Sequence, residues 1–148
     1  MWTYLNGEFV SKDEVRISPF DRGFLFGDSV YEVIPSYNNK LFLFDEHLER
    51  LKNSLSITNI PIPHSMKDLE LSIMELINKN KFLNQAIYIQ ITRGVDPIRS
   101  HVADSKTLPT VFITSTELEI NPYRENPEKK GLQVSLEKDI RWKRCDVK

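Results

Sequence analysis

Arg99 and His101 stand two residues apart in the loop RGVDPIRSHVADSKTL. A guanidinium fork matches a carboxylate with two parallel hydrogen bonds, and a neighbouring imidazole adds a donor, so this pair can hold an organic anion; in a polar loop it can equally be solvated. The last stretch, DIRWKRCDVK, ends in Lys148. A lysine held in a pocket at lowered pKa has a neutral amine that condenses with a carbonyl and carries protons, whereas a solvated lysine does neither. Arg22 and Asp28 bracket two glycines in RGFLFGDSVYEV. That segment lacks the spacing of a phosphate-binding glycine loop and reads as a turn entering a strand, tied down by the two charges. His47, His64 and His101 show no ligand spacing and there is no CxxC, so a metal centre is not expected. The single cysteine, Cys145, has no histidine close in sequence with which to form a nucleophilic pair.

These groups must be positioned by elements that hydrophobic periodicity and turn chemistry mark out. Asn6-Gly7 and Asn38-Asn39 each separate two apolar runs and predict two hairpins, since Asn and Gly tolerate the positive φ of a type I′ turn. Alternation along SVYEVIPSY puts Tyr31, Val33 and Pro35 on one face, and Pro35 calls for an edge or a bulge. Asp45 is expected to cap a helix whose Leu48, Leu51 and Leu55 make one buried stripe, with His47, Glu49 and Lys52 pointing elsewhere. Ser65 opens a second helix with Met66, Leu69, Ile73, Leu76 and Ile77 on its apolar face. Residues 86–93 and 109–116 read as strands, with the long Arg99/His101 loop between them. Residues 118–130 are polar and proline-containing, as in a linker, and 131–140 resume a strand pattern. With hairpins, two helices, then strands, and no βαβ rhythm, the class is α+β.

The totals narrow the function. A chain of 148 residues with 40% apolar composition supports one domain with a substantial core. Twenty basic against twenty-one acidic residues create no general field for nucleic acid or an anionic membrane, so binding must be local. No run of about 18 apolar residues is present to span a bilayer, and the polar opening has no secretory pattern. A cytosolic (cytoplasmic) protein is expected, in keeping with a lone cysteine.

Four blocks carry a resemblance: DRGFLFGDSVYEV, DEHLERL, YIQITRG with the following RSH, and DIRWKRCDVK. In this order and at nearly this spacing the chain resembles the N-terminal half of the fold-type IV (class IV) pyridoxal-phosphate-dependent aminotransferases, and among them the D-amino acid (D-alanine) aminotransferases. The resemblance implies pyridoxal 5'-phosphate as cofactor and Lys148 as the catalytic lysine that holds it covalently. Arg50 would bind the cofactor phosphate. Tyr31, Arg99 and His101 would bind the substrate α-carboxylate, with Glu32 and Arg141 supporting the pocket. It further implies a homodimer in which the Arg99/His101 loop reaches the neighbouring subunit's site.

The implied architecture is a small N-terminal domain, residues 1–117, with an antiparallel sheet and two helices. A linker, 118–130, and the first strand of a truncated cofactor domain, 131–148, would follow. The implied reaction is transamination between a D-amino acid such as D-alanine and a 2-oxo acid. Aminodeoxychorismate lyase, branched-chain aminotransferase and an inactive dimerising fragment are the alternatives. The loop before Arg99 is one residue longer than the family's usual spacing, Ser29 replaces a common glycine, and Pro35 lies on the strand lining the substrate side chain. The substrate range therefore stays open. The 148-residue chain alone is expected to be inactive, because the acidic partner of the pyridine nitrogen and most of the phosphate-binding backbone follow the lysine in the family.

Overall fold

The computed structural model describes residues 1–61, 65–119 and 133–143. Contacts divide the chain into two compact units, Met1–Leu118 and Glu119–Lys148. In the first, Asn6 and Gly7, both at positive φ, close the hairpin between β1 (Trp2–Leu5) and β2 (Glu8–Ser11). Asn38 and Asn39 do the same between β3 (Ser29–Tyr37) and β4 (Lys40–Leu41). With β5 (Gln85–Thr92) and β6 (Thr110–Glu117) these make one six-stranded antiparallel sheet, ordered β2-β1-β6-β5-β3-β4.

One face of the sheet is core. Val30 and Ile34 of β3, Ile87, Ile89 and Ile91 of β5, and Val111 and Ile113 of β6 lie in register and are buried. They are covered by Leu48, Leu51 and Leu55 of α2 (Phe44–Thr58) and by Leu69, Ile73, Leu76 and Ile77 of α3 (Met66–Asn80), as the two stripes predict. Ser65 caps α3 through a capping box with Asp68. On the opposite face Tyr31, Val33 and Tyr37 are exposed. Pro35 pairs with Ala86 in unbroken register; its carbonyl accepts from Phe42 N on the outer side of β3, so the N–H it lacks is not missed in the β3–β5 ladder.

Three expectations are corrected. The segment expected as a turn contains a third helix, α1 (Arg22–Phe26). It begins at Asp21, whose side chain accepts from Gly23 N, and stops at Gly27, which takes the left-handed φ of 67° that glycine allows without strain. Asp45 does not cap α2. Leu43, in left-handed conformation and without a side-chain bond, holds the N-cap, and Asp45 lies in the first turn where its charge favours the helix dipole. Finally, residues 133–140 form no strand and are exposed, since a strand needs a ladder partner and none pairs with them among the described residues. In the same unit Arg141–Lys143 forms one 3₁₀ turn.

Ile113 is fully buried and registers with both Tyr4 and Ile89. Ile113→Ala is expected to lower unfolding stability by about 2–5 kcal/mol, read as a shifted denaturant midpoint at unchanged slope.

Candidate active site

Alternation in β3 divides two neighbours. Tyr31 faces the open side, 64% exposed, while Glu32 falls in the core-facing row between Val30 and Ile34 and is 3% exposed. A carboxylate so placed needs partners, and α2 supplies two from one side of the helix at i and i+3. His47 Nδ1 lies 2.8 Å from Glu32 Oε2, and Arg50 donates from Nε to Oε1 at 2.5 Å and from Nη2 to Oε2 at 2.6 Å. Burial pushes the Glu32 carboxyl up, but the hydrogen bonds from Arg50 and His47 outweigh it and hold the group below the usual glutamate range. Beside Glu32, the guanidinium of Arg50 is raised in turn.

The fork of Arg50 is thus fixed on one edge while its side chain stays 66% exposed, and Nη1 has no partner among the described residues. It borders a surface cleft of about 350 Å³ lined by Tyr31, Glu32, Val33, Arg50 and Ser54. β4 pairs only with Ser36 and Tyr37, so it leaves this part of the β3 edge uncovered. Tyr31 packs its ring against Tyr88 at 5.9 Å, and Tyr88 Oη donates to Gln90, whose Nε2 donates to Ser29. Burial and the neighbouring Tyr31 push the Tyr88 phenol up.

A second cluster forms where α1 meets the loop after β5. Arg22, 5% exposed, donates to Asp28 (3.0 Å), Asp96 (2.8 Å) and the carbonyls of Ser100 (2.8 Å) and His101 (3.2 Å). Arg93 donates to Asp28 and, beyond it, to the carbonyls of Thr58 and Asn59 at the end of α2. Burial pushes the Asp28 carboxyl up, yet Arg93 and Arg22 hold it below the usual range. Asp96 is held low mainly by the hydroxyl of Thr107, with Arg22 adding to it. Gly94 is required in this loop: its φ is 108°, and an added Cβ would stand 1.8 Å from Leu108 O.

Of the residues singled out from sequence, the fold brings Tyr31, Glu32 and Arg50 to the cleft and Arg99 and His101 to the second cluster, where both approach the Phe26 ring. No contact joins Tyr31 to Arg99 or His101 among the described residues. Arg141 pairs with Asp139 at 2.7 Å. Lys148, Cys145 and His64 lie outside the described residues, as does nearly all of the expected linker. His47 is drawn to Glu32, and sequence reading missed it; its i,i+3 spacing to Arg50, opposite a carboxylate on a core strand, was the available signal. Arg93, Asp96 and Phe26 were also missed, and local pattern holds no cue to them.

Glu32→Gln is expected to destabilise the fold by about 1–2 kcal/mol at neutral pH, since the exposed Arg50 can recover solvation. Because the folded carboxyl is held below its ordinary value of 4.5, its stabilisation is complete above that value and is lost as pH falls through the folded value. Unfolding measured from pH 7 downward should therefore show a shallower acid slope in Glu32→Gln than in the parent.

The sequence pattern of the family described as amino-transferase class IV matches residues 29–148. The D-alanine aminotransferase of Staphylococcus epidermidis strain RP62A is 36% identical over 145 residues, covering 98% of this chain and 50% of its own length. That of Listeria monocytogenes serotype 4b is 34% identical over 148 residues, covering 100% and 51%. The chain spans about half the length of these curated relatives. Among solved structures, the Escherichia coli branched-chain amino acid aminotransferase superposes with a TM-score of 0.74 at 23% identity, over 79% of this chain and 40% of that one. The branched-chain aminotransferase of Thermoproteus uzoniensis superposes with a TM-score of 0.72 at 22% identity, over 80% and 41%. With the six-stranded antiparallel sheet and its helices in agreement and most of the sequence matched, the chain belongs to the class IV aminotransferases.

Proposed function

We propose that the full-length protein carrying this sequence is a pyridoxal-phosphate-dependent transaminase that works between a D-amino acid such as D-alanine and a 2-oxo acid. The observation that carries the reading is the cover of nearly this whole chain by D-alanine aminotransferases at more than a third identity, against under a quarter for the branched-chain enzymes that share its fold. The branched-chain reading is kept as the second, on the strength of that shared fold.

The cleft at β3 supports the cofactor chemically. Arg50 offers a free guanidinium edge to a phosphate, and buried Glu32 with His47 fixes where that edge points, so little rotamer freedom remains to be lost on binding. When bound, the cofactor supplies an electron sink for charge developing at the substrate Cα. Lys148 is the residue proposed to hold it covalently and then, as a free amine, to take the proton from Cα and return it on the other side of the exchange. Tyr31, Arg99 and His101 are proposed to donate to the substrate α-carboxylate, fixing which face of Cα meets the lysine. Glu32 supports this pocket through Arg50, and Arg141 is proposed as a further supporting residue. Tyr31 makes no contact with Arg99 or His101 among the described residues, which supports the reading of a homodimer in which the loop of one copy serves the cleft of the other.

The full-length protein should transaminate D-alanine with 2-oxoglutarate, with kcat/KM for L-leucine lower by about 100-fold or more. Preference for L-leucine would move the assignment to the branched-chain reading, and release of product from aminodeoxychorismate would move it to a lyase. Lys148→Ala should lower kcat by about 10³-fold and abolish the cofactor adduct that borohydride otherwise traps on the chain.

A further inference from the structure

Phe26 closes the short helix α1, and its ring is approached by three basic side chains. The Arg22 guanidinium carbon lies 4.7 Å from the ring centroid and that of Arg99 lies 4.8 Å from it. The His101 ring is 5.5 Å away, tilted by 52°. Arg22 and Arg99 differ in what else they hold. Arg22 is locked by Asp28, Asp96 and the two carbonyls of the loop, and so fixes the ring from within the fold. The side chains of Arg99 and His101 are exposed and make no hydrogen bond or ion pair among the described residues, so the ring is what orders them.

Attraction of a cation to an aromatic face consumes no N–H donor. A guanidinium held over the ring in this way, and an imidazole packed against the same ring, keep their donors for a ligand, whereas an ion pair to a carboxylate of the fold would have spent them. The long Arg99 side chain, which would otherwise sample many rotamers, and the His101 ring beside it are thereby restricted before a ligand arrives, which lowers the ordering cost of binding.

We propose that Phe26, clamped by Arg22, is a positioning residue that presents Arg99 and His101 together to the substrate α-carboxylate. This rests on the carboxylate reading of that pair. Phe26 touches no reacting atom, so its effect falls on substrate affinity.

The test compares Phe26→Leu, Phe26→Tyr and Arg99→Ala in the full-length holoenzyme, with KM and kcat measured for D-alanine and for 2-oxoglutarate, cofactor affinity by titration, and thermal midpoint as the check on folding. Phe26→Leu should raise both KM values by about 3- to 10-fold, with a smaller change in kcat, since the loss is that of cation–ring attraction at a partly exposed site. Phe26→Tyr should restore the parent KM, and cofactor affinity should stay within about twofold, because Arg50 lies in a separate cluster. In an Arg99→Ala background the effect of Phe26→Leu should shrink. An unchanged KM in Phe26→Leu beside a raised KM in Arg99→Ala would overturn the positioning role and leave the carboxylate reading standing. An unchanged KM in Arg99→Ala would overturn the carboxylate reading and the positioning role with it. Equal effects of Phe26→Leu in the parent and in the Arg99→Ala background would show a general loss of structure and overturn the proposal as well.

Discussion

A carboxylate in the core-facing row of a sheet is costly unless its charge is met, and Glu32 occupies such a place between Val30 and Ile34. That one constraint sets much of what surrounds it. α2 must present a cation and an imidazole at the level of β3, which fixes its axial position over the sheet beyond what its leucine stripe requires. The stripe alone tolerates sliding by a turn, whereas two bonds from Arg50 and one contact from His47 to a single buried group do not. The result is an arginine rigid at one edge and open at the other, beside a phenol that the same strand sends to the opposite face.

The Arg22 cluster extends the same logic to the loops. Asp28 is shared between Arg22 and Arg93, and Arg93 also meets the last carbonyls of α2, which a helix end leaves without partners. A chain of charge-assisted bonds therefore runs from the loop that carries His101, through α1 and the start of β3, to the C-terminal end of α2. Both clusters hang on α2 and β3, so the geometry of the two groups of candidate binding residues is set by one helix packed on one strand.

Much of this is legible in the sequence. The Asn6-Gly7 and Asn38-Asn39 hairpins, the stripes of α2 and α3, the start of α3 at Ser65 and the alternation that sets Tyr31 and Val33 on one face all appear where period and turn chemistry put them. The failures have local causes. Asp45 resembles a cap, yet Leu43 already turns the chain in left-handed conformation, and a helix of five residues at Arg22–Phe26 is too short to leave a periodic signal. A strand pattern over 131–140 promised a strand, but among the described residues 133–140 have no ladder partner, and a strand exists only in a ladder.

By itself, then, the sequence determined the types of the long elements, the face each would bury and, through four blocks of resemblance, the family. Those properties depend on residues a few positions apart, whose spacing is written along the chain. Only the tertiary structure decided the partners: Glu32 with Arg50 and His47 across 18 and 15 positions, and Arg22 with Asp96, Ser100 and His101 across 74 to 79. An arginine and an aspartate in loops look alike whether solvated or buried, and burial is settled by packing between distant segments, which makes a pairing that is trivial in water necessary in the core.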